Sequence, residues 1–173
     1  MEQKITTPIT KGLVIILVLA VIDLIGGFAH LKLEKWYSWV STLVLVAAII
    51  WACINYASQL KGDTTFGNCF AHGFKTSAVV ACFLIIYTLI SIYLIFPETR
   101  DMALEQARKQ MEEKGNIPEA SIDQALEITK KFFLPLAIGG ALLGTLIVGA
   151  IASLIGAAIA KKNPSSPFEN QLK

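Results

Sequence analysis

The sequence predicts an all-α membrane protein, with four transmembrane helices and an extramembrane helical hairpin between the third and the fourth. Three observations carry this. Of the 173 residues, 54% are hydrophobic and only 16% are charged, too apolar a balance for an ordinary soluble fold of this length. Four stretches, 12–29, 37–55, 77–96 and 133–160, approach or exceed the roughly 20 apolar residues needed to cross about 30 Å of hydrocarbon at 1.5 Å per residue. One polar segment, 97–131, separates the last two. The chain 1–173 therefore reads as a single integral membrane domain.

The first stretch, LVLAVIDLIGGF, carries Asp23 inside an apolar run. Lys4 and Lys11 resemble the basic flank of a signal peptide, but no A-x-A-like cleavage site follows, so the segment is expected to stay as a span. Trp36, Tyr37 and Trp39 mark the start of the second span. Phe132 and Phe133, after Lys130 and Lys131, mark the start of the fourth, the pattern of interface aromatics beside snorkelling lysines. Between spans two and three, Phe66, Phe70 and Phe74 fall on one helical face, with Asn68, His72 and Lys75 off it. This predicts a short interfacial helix, 64–75, lying on the membrane before the third span enters.

In the polar segment, Leu104, Ala107 and Met111 recur at helical spacing until Gly115 and Asn116 supply a stop. A second helix follows, begun either by the capping box Ser121-Ile-Asp-Gln124 or by Pro118. Glu105 with Lys109, Arg108 with Glu112, and Glu127 with Lys131 stand at i, i+4 and read as self-solvating pairs. The fourth span is expected to bend at Pro135. Beyond it, small residues repeat at four-residue spacing, and Gly139, Gly140, Gly144, Gly149, Ala152 and Gly156 are the expected helix-packing positions.

The net charge of +2, from 15 basic and 13 acidic residues, gives no basic stripe, which excludes nucleic acid as a partner. Cys53, Cys69 and Cys82 lack C-x-x-C spacing. Lys161 and Lys162 abut the last span end, so both termini are expected on the cytoplasmic side.

Asp23 is the first candidate for function, because a carboxylate deep in a span is costly and must face the bundle interior or water. Counting equal depth on each span brings Ser41, Thr42, Thr88, Ser91 and Gly139 or Gly140 to its level. A polar layer that locks helix register is the structural reading, a proton or ion relay the functional one, and snorkelling from a shorter span the third. Cys69 and His72 form a lone C-x-x-H, with His30 the only other histidine, so His72 is read as an interfacial histidine and no metal or cofactor is expected. G-x-S-x-G, H-E-x-x-H and P-loop signatures do not occur, so the chain is not expected to be an enzyme of those kinds.

The run TTFGNCFAHGFK, the hairpin ARKQMEEKGNIPEASIDQALEITKKFFLP and the glycine-rich final span ending in Lys161-Lys162 resemble the bacterial membrane family called domain of unknown function 4199 (DUF4199). The resemblance covers nearly the whole chain. It implies four spans and a bacterial inner-membrane location, and it transfers no catalytic residue to any position. The expectation from all of this is a non-enzymatic structural or interaction protein whose partners are the lipid bilayer and a second copy or another membrane protein. A small-solute or proton-coupled permease using Asp23 is the alternative.

Overall fold

The computed structural model describes residues 5–29, 31, 34–113, 115 and 118–161, without the side chains of Lys35, Ser38 and Lys161. Lys4, His30, Asn116 and Lys162, used as signals above, lie outside the described residues. Among the described residues there is no strand. Five α-helices follow in order: α1 (Pro8–Phe28), α2 (Lys35–Gln59), α3 (Phe66–Ile90), α4 (Thr99–Glu113) and α5 (Glu119–Lys161). Among the described residues four helical stretches are long and apolar enough to cross a membrane, Pro8–Phe28, Trp39–Gln59, Phe66–Ile95 and Glu119–Ala160.

Local chemistry explains most of the helix ends. Thr7 accepts a hydrogen bond from the Thr10 N–H and Pro8 occupies the first turn, so α1 begins four residues earlier than the expected span. α2 closes with Lys61 at φ 52°, where the Lys61 N–H reaches Ser58 O at 3.0 Å and the Gly62 N–H reaches Ala57 O at 3.0 Å. That double bond pattern satisfies the last carbonyls of the helix. Thr65 caps α3 through the Asn68 N–H at 3.2 Å. The interfacial helix expected at 64–75 and the span expected at 77–96 form one uninterrupted helix to Ile90, then a π-helical turn, Ser91–Ile95. The helix stops at Phe96 because Pro97 excludes helical geometry from the residue before it. α5 starts directly after Pro118, so the proline and not the Ser121 box sets its start.

The chain divides into two compact units, Met1–Leu84 with Leu143–Lys173, and Ile85–Leu142. In the first, Ile15, Ile16, Leu45, Ile49, Val80 and Ala152 form a core from α1, α2, α3 and α5, and a second cluster joins Ala57, Cys69, Ala157 and Ala160. Glycines bring these helices together. A side chain at Gly12 would strike Val79, one at Gly149 would strike Ser77, and one at Gly156 would meet Cys53 and the Ile50 backbone. The outer faces remain apolar, with Leu17 at 65% and Leu43 at 63% exposure. Water would disfavour such surface, whereas hydrocarbon accommodates it.

In the second unit, Arg108 pairs with Glu112 at 2.8 Å and with Asp123 at 3.5 Å, linking α4 to the first turns of α5. Lys109 pairs with Glu105 at 2.9 Å. The expected Glu127 to Lys131 pair does not form among the described residues. The Lys131 ammonium lies instead 5.9 Å from the Phe132 ring centroid.

Candidate functional site

The start of α1 decides the site. With Pro8 in the first turn, Lys11 belongs to the helix and cannot extend from a flanking loop toward water. It is 3% exposed, its ammonium donates to the Ala52 carbonyl at 3.0 Å, and the Trp51 ring centroid lies 6.0 Å away. Among the described residues no carboxylate pairs with it. A buried ammonium satisfied by a neutral carbonyl is an expensive arrangement that ordinary packing does not require.

α3 supplies the second titratable group. His72 is 6% exposed, and its ring stacks on Tyr56 of α2 with centroids 4.1 Å apart and planes at 16°. Its Nε2 has no hydrogen-bond partner among the described residues. Native interiors leave few such atoms. Lys11 stands within electrostatic reach of both His72 and Cys53. The Cys53 thiol donates to the Cys69 carbonyl at 3.5 Å, and both cysteines are buried and free.

Small residues hold this cluster tight. A side chain at Gly73 would collide with Cys53 Sγ and Ser153 Oγ, so α2, α3 and α5 meet at that point. Thr76, Ser77 and Ser153 are fully buried but turn their hydroxyls onto their own helices, to the carbonyls of His72, Gly73 and Gly149. At the end of α2, Gln59 accepts from the Thr6 N–H, just before α1, at 2.8 Å and donates to Asn55 at 2.9 Å. The result is a tightly packed polar centre holding an ammonium, an imidazole, a phenol and two thiols. Such groups can hold and exchange protons. Among the described residues no group of three or more His, Cys, Asp or Glu could hold a metal ion.

The positions singled out from sequence are distributed as follows. Asp23, Ser41 and Thr42 are half-buried in the first unit, and Asp23 and Thr42 both have interaction partners. Beside Asp23, the Tyr37 hydroxyl donates to the Ile22 carbonyl, and Gly26 leaves room for the Tyr37 ring. Thr88 is half-buried and Ser91 buried, both in the second unit. Gly149, Ala152 and Gly156 pack inside the first unit, while a side chain at Gly139, Gly140 or Gly144 would meet nothing within 4 Å. His72 is buried where α3 packs against Tyr56 of α2. Lys11 was missed because it was grouped with the flanking charges; the Thr7-Pro8 start signal places it inside the helix and could have found it.

A family model described as a protein of unknown function (DUF4199) matches residues 10–162. No curated protein and no solved structure matches the chain.

Proposed function

The chain belongs to the DUF4199 family, and on that premise we propose that it is a non-enzymatic, four-span protein of the bacterial inner membrane. Both termini are cytoplasmic, and α4 with the start of α5 forms a helical hairpin outside the bilayer that contacts a second copy or another membrane protein. The observation that carries this reading is the contrast between helix faces. Inside the first unit, glycines bring four apolar helices together around a closed core, while large apolar side chains face outward. A photo-crosslinking residue at Gln110 or Gln124, both exposed, tests the contact in living cells. A discrete adduct of fixed mass supports it, and monomer alone at both positions rejects it.

A second reading, a proton-coupled permease, is favoured by one observation, that the first unit buries both the Lys11 ammonium and a His72 imidazole whose Nε2 has no hydrogen-bond partner among the described residues. It moves the candidate relay from Asp23 to these two groups. Proton uptake by proteoliposomes carrying the wild type, Lys11→Met and His72→Phe decides it. Flux lost in both variants supports the permease, and the absence of any flux in the wild type rejects it.

A further inference from the structure

The second unit holds five basic residues whose side chains are described, and they divide into two groups. Arg108 and Lys109 are occupied by carboxylates, through Glu112, Asp123 and Glu105. Arg100, Lys130 and Lys131 pair with no carboxylate among the described residues. These three line a shallow, open groove together with Glu127 and Ile128. Three cations face one carboxylate there. The contrast matters because carboxylates are plentiful on this unit, and Glu98 and Asp101 flank Arg100 in sequence without claiming it.

The groove is also oriented for an anion. Arg100 lies in the first turn of α4, where unpaired backbone N–H groups and the helix dipole favour negative charge. Its Nη2 donates to the Lys130 carbonyl at 2.8 Å, which fixes the guanidinium and leaves its other donors available. That carbonyl lies one residue before Lys131, whose own carbonyl loses its helical donor to Pro135. Lys131 extends over Phe132, and Ile128 and Phe132 are exposed at 55% and 48%. An apolar rim beside the cations, at the point where α5 turns from charged to apolar sequence, suits a ligand that is anionic at one end and hydrocarbon at the other.

We propose that Arg100, Lys130 and Lys131 bind the phosphate of an anionic phospholipid headgroup, with Ile128 and Phe132 against its acyl chains. The site rests on the membrane reading given above. Arginine supplies planar donors to phosphate oxygens, and the two lysines supply point charges.

The test uses the full chain purified in neutral detergent, with native mass spectrometry after equal exposure to dioleoylphosphatidylglycerol and dioleoylphosphatidylcholine. Wild type retains phosphatidylglycerol preferentially, and each of Arg100→Gln, Lys130→Gln and Lys131→Gln lowers that retention about fivefold, the factor typical of one basic residue near an anionic surface. Arg108→Gln, whose partner is a carboxylate, leaves retention unchanged. Lys131→Gln removes no hydrogen bond among the described residues, and an unfolding midpoint equal to that of the wild type separates its effect from misfolding. Equal retention in wild type and all three variants overturns the proposal, as does binding of inorganic phosphate alone as tightly as the lipid. Flotation with phosphatidylcholine vesicles separates the two premises. A chain that inserts into neutral vesicles yet shows no preference for phosphatidylglycerol loses only the headgroup site, whereas a chain that inserts into no vesicle loses the membrane reading as well.

Discussion

Replacing Gly156 by alanine should weaken the bundle even though alanine is the better helix former. An added Cβ would lie 2.9 Å from Cys53 Cβ, 3.0 Å from Cys53 Sγ and 3.1 Å from Ile50 Cα. The sulfur can rotate away, but the other two atoms are anchored to the α2 backbone, so α2 and α5 must separate. Overpacking of this kind costs about 1–3 kcal/mol. Exchange of a helical glycine for alanine returns roughly 1 kcal/mol. The net expectation is a loss of up to about 2 kcal/mol. Gly144→Ala is the internal control, because nothing lies within 4 Å of the added carbon and only the propensity gain applies. The two variants should therefore differ by about 1–3 kcal/mol, since the propensity contribution cancels between them. Thermal unfolding followed by helical circular dichroism in one detergent measures that difference. Equal midpoints for Gly156→Ala and Gly144→Ala would refute the claim that α2 and α5 meet at Gly156.

Other consequences concern charged and polar groups. His72→Phe should keep the stack on Tyr56 while removing an unpartnered nitrogen, and raise stability by about 1–3 kcal/mol; a lower unfolding midpoint would show that the nitrogen has a partner. Lys11→Met should likewise be neutral or stabilising, by up to about 4 kcal/mol, because it removes a buried charge that no carboxylate pairs with among the described residues, and a drop in the unfolding midpoint would contradict this. Asp23→Asn should preserve the fold, whereas Asp23→Leu should cost about 1 kcal/mol by stranding polar partners, and equal stability of the two variants in detergent would contradict this. The hydrogen bond from Lys109 holds the Glu105 carboxyl below its ordinary range. A carboxyl depressed in the folded state adds stability above its unfolded value, and that contribution disappears as pH falls through the folded value. Lys109→Gln should therefore move the Glu105 titration, followed by NMR of the full chain, upward; an unmoved titration would discount the pair.

Hydropathy made the four long helices legible, because a run of apolar residues in a helix needs no knowledge of its neighbours. What periodicity could not supply was which face each helix turns inward. Asn68, His72 and Lys75 read as the polar face of a short helix, yet the His72 ring is buried against Tyr56 of α2, a neighbour that spacing along α3 cannot name. Lys11 was hidden for the same reason, since a lysine near a span end is normally read as snorkelling toward water. Small-residue spacing marked Gly149 and Gly156 together with Gly139, Gly140 and Gly144, although only the first two meet another helix among the described residues. Spacing encodes the possibility of close approach, and the partner is decided by the other helices. Glu127 and Lys131 show the converse, an i, i+4 pair permitted by sequence whose lysine lies instead against a ring.

The central claim, a four-span protein with α4 outside the membrane and the N-terminus inside, is tested most directly by cysteine accessibility. Single cysteines replace Gln110 in α4 and Ile5 before α1, both exposed, on a background in which Cys53, Cys69 and Cys82 are alanine. A membrane-impermeant maleimide should label the position-110 cysteine in intact cells and the position-5 cysteine only after permeabilisation. Labelling of both in intact cells, or the reverse pattern, would contradict the topology.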